Sequence, residues 1–425
     1  MWYKAKSRVV SAVNQRKREI LLSPVLALLL LVAALLVSCQ GGGERRPPEF
    51  GGFELADSPW PKVNADLRNT RHVEGTPITD PEIAWVREIE GRVAFEPVIA
   101  GDKLIVVTWN PFKILAISLS NGSVEWQRYI YIISPLLVTK QGIITLSQNR
   151  LFFFNNHGQI VQSVILPIHL RNPVLTLFNG FIVILDDNYL LLVDMENNDI
   201  SIRFRNKALG RVFNPLSTSD IFMYYNYNGG QIVLFDPLLG FERQIIDDVK
   251  VTRYLSINDC NIFLSGADEL DIMSITDSEK ITRNSSYPIS KYIGSYIPYD
   301  GCDFLAITNS TMYLVNDNGF SYYHLIPNLG TSIINDLVIN RDGQIVLIAG
   351  ESSDEIINLK LAFVTINSSA NNDYYYTTML LPSNISGSRL HVISNSDSII
   401  ITGSFNDASL IISVQDSKSS AARRR

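Results

Sequence analysis

Histidine and cysteine are scarce in this sequence, five of the first and three of the second in 425 residues. The histidines, His72, His157, His169, His324 and His391, are scattered, without the His-x-His or H-E-x-x-H spacing that assembles zinc ligands. No C-x-x-C pair, P-loop glycine run or G-x-S-x-G nucleophile elbow occurs. Asp186-Asp187-Asn188 and Asn316-Asp317-Asn318-Gly319 lie between apolar runs, where such residues make turns, and they lack the further ligands of a calcium loop. The reading is a non-enzyme with no metal site, no cofactor and no catalytic residue.

Clustered positive charge is lacking as well. Residues 1–38 hold six basic residues and one acid; without them 30 Lys and Arg stand against 41 Asp and Glu, a formal net charge of −11. Phosphate binding depends on clustered Lys and Arg, so nucleic acid is not an expected partner. The remaining basic spots, Arg45-Arg46 and Arg423 to Arg425, fall in segments read as tails.

A repeat organises the rest. Residues 96–127 read as four short strands, 97–100, 104–108, 114–118 and 124–127, the last after the Asn121-Gly122 turn. Related openings return at Ser134, Asn172, Asn214, Arg253, Ser295, Asn335 and Ser388, which makes eight units. Four strands in a period of about 40 residues is the pattern of a propeller blade, because one small sheet cannot bury both faces and must stack on neighbours around an axis. The 3.6 period of helical repeats is absent, and solenoids use shorter units. The expected fold is all-β, a β-propeller of four-stranded blades; eight is the expected number, and seven stays open because the last units are irregular. Residues 83–89, which precede the first unit, are expected beside 409–414 as the outer strand of the last blade.

Before the repeat comes a targeting segment. A basic stretch is followed by the apolar run 20–37 and by Ser38-Cys39. Leu36-Val37-Ser38-Cys39 looks like a bacterial lipobox, which predicts lipidation of Cys39; an uncleaved signal anchor is the alternative, since the run approaches the ~20 residues of a membrane span. Residues 40–58 are rich in Gly and Pro and read as a tether. The expected organisation is a signal peptide over 1–38, a lipidated tether over 39–58, the propeller over 59–418 and a basic tail over 419–425. The body is expected in the cell envelope, facing the periplasm or the exterior and held to a membrane through Cys39. Cys260 and Cys302 occupy matching places in the fifth and sixth units, either bridged, which such a compartment permits, or apart as thiols, since adjacent blades diverge with radius.

One stretch resembles a known family. Trp60-Pro61, Asp66, Asn69-Thr70 and Trp85 are followed by Pro97-Val98-Ile99-Ala100-Gly101-Asp102 and by Ala116, Gly122 and Trp126. This order is similar to the opening of the pyrroloquinoline-quinone-like β-propellers, with their A-x-D-x-x-x-G-K-x-x-W blade-docking motif. Ser118 and Ser123 stand where that motif has Asp and Lys; Asp194 recurs at the Asp position of the third unit, and Asp236 with Gly240 in the fourth, without the Trp. The resemblance covers residues 60–127 and is architectural over 128–416. By layout, a lipobox and then an eight-bladed propeller, the chain resembles the lipoprotein of the outer-membrane β-barrel assembly machinery. What this implies is a scaffold for protein partners in the envelope. The family also implies an alternative, a quinone-dependent dehydrogenase-like or sugar-acting envelope enzyme. The dehydrogenases have an adjacent Cys-Cys pair and a tryptophan floor, whereas no Trp follows Trp126 here.

For the partner surface the seventh unit is singled out. Its extra length lies in 351–355 and 367–376, and Tyr374, Tyr375 and Tyr376 offer large contact area with polar tips. Alternate tyrosines packed inward in a strand are the other way to read them.

Overall fold

In a computed structural model the chain divides into two compact units, Met1–Phe50 and Gly51–Arg425. The residues described all lie in the second: 52–187, with 63, 67, 68 and 70 excepted, and between 189 and 418 the strands with some of their turns, several of those strands by backbone alone. The expected signal peptide, Cys39, Cys260 and Cys302 lie outside the described residues.

Eight antiparallel sheets follow one another along the chain. Blade 1 runs Val98–Ala100, Lys103–Trp109, Lys113–Ser118 and Val124–Tyr129. A two-residue strand, Arg92–Val93, pairs with the far end of Lys103–Trp109 and completes the inner strand, so this sheet has five pieces. Blade 2 runs Leu137–Thr139, Gly142–Ser147, Arg150–Phe154 and Ile160–Ile165. The inner strands of blades 3 to 8 start at Val174, Val212, Leu255, Ile293, Ser332 and Leu390. Each falls at or within a few residues of an expected unit opening, because the same local signal, a short apolar run and then a turn, is what starts every blade.

Burial explains the sequence pattern within a blade. Lys113–Ser118, a middle strand, is buried at all six positions, since both its faces meet neighbouring blades, whereas the outer Val124–Tyr129 is almost wholly exposed. The apolar clusters accordingly lie between blades: Ile105, Ile114 and Ala116 with Ile143 and Phe154 between blades 1 and 2, Leu146 and Phe153 with Leu175 and Ile184 between 2 and 3, and Val183 and Leu192 with Phe222 and Val233 between 3 and 4. A further cluster joins blades 7, 8 and 1.

The ring closes where the early residues return to the end of the chain. Pro81–Glu90 pairs antiparallel with Ala408–Asp416, with Ile83 opposite Val414 and Ile89 opposite Ser409, so the expected outer strand of the last blade is found. Asp416 accepts hydrogen bonds from the backbone of Thr79 and Asp80 at 2.7 and 3.2 Å, fixing the strand's start. Closure by a strand from the other end of the chain replaces an end-to-end contact with a full ladder.

The outer strands dock through tryptophan. The Trp85 indole N–H donates to the Leu119 carbonyl at 2.9 Å, and the ring lies against Gly122, where a Cβ would sit 2.6 Å from Cε3. One blade on, the Trp126 N–H donates to the Asn156 carbonyl at 2.9 Å, and a Cβ on Gly158 would sit 2.4 Å from Cδ2. Both glycines have φ +71°, so the position excludes a side chain on steric and backbone grounds together. Two residues after each Trp an arginine, Arg87 or Arg128, donates to that glycine's carbonyl at 2.6 or 2.9 Å. Ser118, at the family's Asp position, does without a carboxylate: its backbone oxygen accepts from Gly122 N at 2.9 Å and its hydroxyl meets Ser120.

Candidate functional site

A propeller's inner strands leave one edge without a ladder, and these N–H groups need partners. In blades 1 and 2 residues 54–61 supply them, on the face of the Gly101 and Leu119 turns. Ile99 N donates to Trp60 O and Val138 N to Pro61 O, both at 2.7 Å, and Ala56 N donates to Val138 O at 3.0 Å. Phe53 is buried, stacks on Phe153 at 5.8 Å and bonds through its N–H to Gly180 O in blade 3. Residues 52–58, expected as the end of the tether, are thus packed on blades 2 and 3, because Phe53 brings an apolar anchor that a Gly- and Pro-rich composition conceals.

Beneath this cap lies a buried polar network. Glu96 accepts from the fully buried Trp60 indole at 2.9 Å, from Asn64 N at 2.7 Å and from Arg71 at 3.0 Å, while Arg71 Nε also donates to Asn64 Oδ1 at 2.9 Å. Arg71 and Glu96 side chains are 9% and 5% exposed, so one carboxylate neutralises one guanidinium out of water and three donors satisfy it. Lys62 Nζ donates to Asp66 O and Asn69 Oδ1, both at 2.8 Å. Burial pushes Lys62 down to about 8, against the pull of the Asp66 and Glu96 carboxylates. Asn64, Ala65, Asn69 and Arg71 all have φ between 50° and 70°, a left-handed conformation uncommon for Ala and Arg, which the network holds in place. The Trp-Pro and D-x-x-N segments singled out in the sequence are therefore the cap and its fastening; Thr70 lies outside the described residues.

Two adjoining cavities open on this face, sharing Pro59 and Ser396 as lining. One, of about 450 Å³, is walled by Asp57, Asp66, His72 and Glu74; the other, of about 310 Å³, by Asp102, Ser120, Asn395 and Asp397. A hydrogen bond from Lys103 holds the Asp102 carboxyl below the usual range. Carboxylates line both cavities without assembling: among the described residues no three His, Cys, Asp or Glu approach closely enough to hold a metal.

The remaining histidines are apart, His157 and His169 exposed and His391 half-buried in Leu390–Ser394; His324 lies outside the described residues. Asp186 caps its own turn, accepting from Tyr189 N at 2.7 Å. Tyr374, Tyr375 and Tyr376 open the outer strand of blade 7, Tyr374–Leu380, opposite Ile366, Thr365 and Val364; their side chains lie outside the described residues. The surplus 351–353 likewise extends a strand, Gln344–Ser353.

Sequence reasoning missed one surface. Among the described residues the exposed aromatics are Trp109, Phe112, Tyr129 and Tyr131, all from blade 1 or the connection leaving it. They sit at the opposite face from the cap, on the turn after Lys103–Trp109 and the exit from Val124–Tyr129. Phe112 and Tyr131 meet edge to face at 4.7 Å, Trp109 meets Phe95 at 6.2 Å, and Ile130 N donates to Phe112 O at 3.2 Å. The signal available was the W-N-P-F turn and the Y-I-Y after the strand, but nothing local says that the two meet.

No protein-family model matches the chain, and no curated protein matches it. Among solved structures it is similar to Sqt1 of Saccharomyces cerevisiae, with 8% identity over 80% of this chain and 100% of that one and a TM-score of 0.56. It also matches the WD40 domain of SCAP from fission yeast, with 8% identity over 78% and 98% and a TM-score of 0.47, and the WD40 domain of Neurospora crassa Pan2, with 8% over 80% and 97% and 0.43. At such identity a likeness shows the fold alone.

Proposed function

We propose that the protein is a non-catalytic propeller scaffold, anchored to a membrane through lipid on Cys39, which holds protein partners at the bacterial cell envelope. Outer-membrane protein assembly is the process that the family resemblance implies. The observation that carries the scaffold reading is the gathering of Trp109, Phe112, Tyr129 and Tyr131 on one face of a ring otherwise free of exposed aromatics among the described residues. Tyr and Trp give large, rigid contact area with polar tips, and such residues dominate protein interfaces. The anchor rests on the lipobox-like tetrad and the Gly-rich stretch after it. Two acyl chains hold firmly where one binds reversibly.

The test separates the two halves. Cys39→Ser is expected to abolish metabolic labelling by a clickable fatty acid; unchanged labelling removes the anchor and leaves the scaffold. In crosslinked membranes, Trp109→Ala with Phe112→Ala is expected to lose partners that the unaltered chain captures, and Tyr374→Ser with Tyr375→Ser and Tyr376→Ser tests the blade 7 strand in the same way. Capture unchanged in both variants removes both surfaces. Turnover of a quinone or sugar substrate by the purified protein would favour the enzyme.

A further inference from the structure

Two parts of the cap are fastened very differently. Residues 59–78 are held by buried groups: the Trp60 indole on Glu96, the Arg71–Glu96 pair, and the Ile78 N–H on the Gln344 side chain at 2.9 Å. Among residues 52–58 only Phe53 is buried. Their other ties are an exposed ion pair, Lys140 with Glu54, and hydrogen bonds near the surface, and residues 55–59 border the cavity of about 450 Å³ without a break. Segments with few buried contacts open locally while the rest of a fold stays closed.

What residues 52–58 occupy has the form of a peptide groove. The segment runs antiparallel to the inner strand of blade 2, Leu55 opposite Thr139, with Ala56 N–H donating to Val138 O at 3.0 Å and Lys140 N–H to Glu54 O at 2.9 Å. It thus adds a strand to a free sheet edge, where main-chain bonds give affinity and alternate side chains give specificity. Phe53 and Leu55 enter the apolar cluster of blades 2 and 3, and Glu54 between them turns outward to Lys140. Before them, Gly52 passes so close to blade 3 that a Cβ would sit 2.3 Å from the Met195 carbonyl oxygen, and its own carbonyl accepts from Gln141 at 2.8 Å. Four successive positions are therefore read by four different contacts. We propose that this edge of blade 2 is a docking groove for an extended peptide of a protein partner with the order Gly, aromatic, acid, aliphatic, and that residues 52–55 are the chain's own occupant, which the partner displaces.

A tethered occupant competes at an effective concentration on the order of millimolar, so the groove is closed to weak ligands and open to a partner that binds tightly or is held nearby. The groove is a second surface, and it depends neither on the lipid anchor nor on the aromatic surface of blade 1.

The probe is a dye-labelled peptide with the sequence of residues 51–57, GGFELAD, titrated by fluorescence anisotropy into the full-length chain in detergent. Gly52→Val drives a side chain into the blade 3 backbone, and Phe53→Ala empties the socket of the ring; either should dislodge the chain's own segment, seen as faster hydrogen exchange at Lys140 N–H. Both variants are expected to bind the peptide at least about tenfold more tightly than the unaltered chain. A peptide with Ala in place of Phe should fail to bind. Lys140→Glu added to Gly52→Val should weaken binding about fivefold, and a peptide with Lys in place of Glu should recover it. Failure of both dislodged variants to bind the peptide up to about 1 mM overturns the proposal, as does binding indifferent to its Phe. In the unaltered chain Lys140 N–H should exchange well before the amides of the buried strand Gly142–Ser147; equal protection would mean that the segment leaves only when the ring unfolds, and would overturn it too.

Discussion

Blade 1 is held in two ways, by charges at the axis and by rings on glycines at the rim, and the two joints respond to different variables. At the axis, Glu96 and Arg71 are paired out of water and Lys62 is buried among carbonyl oxygens. At the rim, Trp85 and Trp126 lie flat on Gly122 and Gly158 with one hydrogen bond each. A ring on a glycine is indifferent to pH, and a buried ionic network is not. The contrast also separates roles: the rim fixes the spacing of neighbouring blades, while the axis fastens one segment to several blades at once.

The largest effect is expected at the axis. Glu96→Ala leaves the Arg71 guanidinium buried without its carboxylate and removes the acceptor of the Trp60 and Asn64 N–H groups; loss of one partner of such a pair costs about 3–5 kcal/mol, read as a fall in the urea midpoint. At the rim, Trp85→Ala should cost about 3 kcal/mol by emptying a well-buried site, with the same loss at pH 6 and pH 9. A loss at Trp85 that varies with pH would erase the contrast.

Lys62 gives the contrast its pH axis. Its folded value, about 8, lies below the 10.5 of the unfolded chain, so below pH 8 both states carry the proton and the folded state bears the cost of burying it. Between pH 8 and 10.5 only the unfolded state holds the proton, and stability should rise with pH by on the order of 2–3 kcal/mol. Lys62→Met should flatten that rise, measured as the urea midpoint across pH 7–10.

The smallest effect sharpens the rim alone. Trp126 is more exposed than Trp85, and Trp126→Ala should cost about 1–2 kcal/mol. Gly158→Ala drives a Cβ into the indole and also strains a positive φ; made in the Trp126→Ala background it should keep only the strain, so the double-mutant cycle should return a coupling of about 1 kcal/mol. Simple additivity would mean that ring and glycine do not support each other.

Much of the fold was legible because a blade is a local object. An apolar run buried on both faces, a turn and an exposed outer strand follow from residues near in sequence, and so the eight inner strands start where the repeat places them. Closure was legible too, since one strand preceded the first full unit and the last unit needed one. The site was less so. Asp66 and Asn69 were recognised as a motif, but Glu96 and Arg71 look like ordinary charges until the cap folds over them. Tyr374 to Tyr376 read as an insertion, whereas their backbone continues a ladder with Ile356–Ile366, because length added to one strand of a hairpin is matched by its neighbour.

By itself, then, the sequence determined the periodic features: strand, turn and outer edge in every unit, and the tryptophans and glycines set at docking distance along the chain. These depend on alternation and spacing over a few residues, which the backbone converts directly into faces and edges. Only the tertiary structure decided that 54–61 would cap the inner edges of blades 1 and 2, that Arg71 and Glu96 would meet out of water, and that Trp109, Phe112, Tyr129 and Tyr131 would share one face. Those outcomes join groups that no period relates, and they depend on how closing the ring places inner-edge carbonyls and turn ends, a geometry that exists only once the blades are assembled.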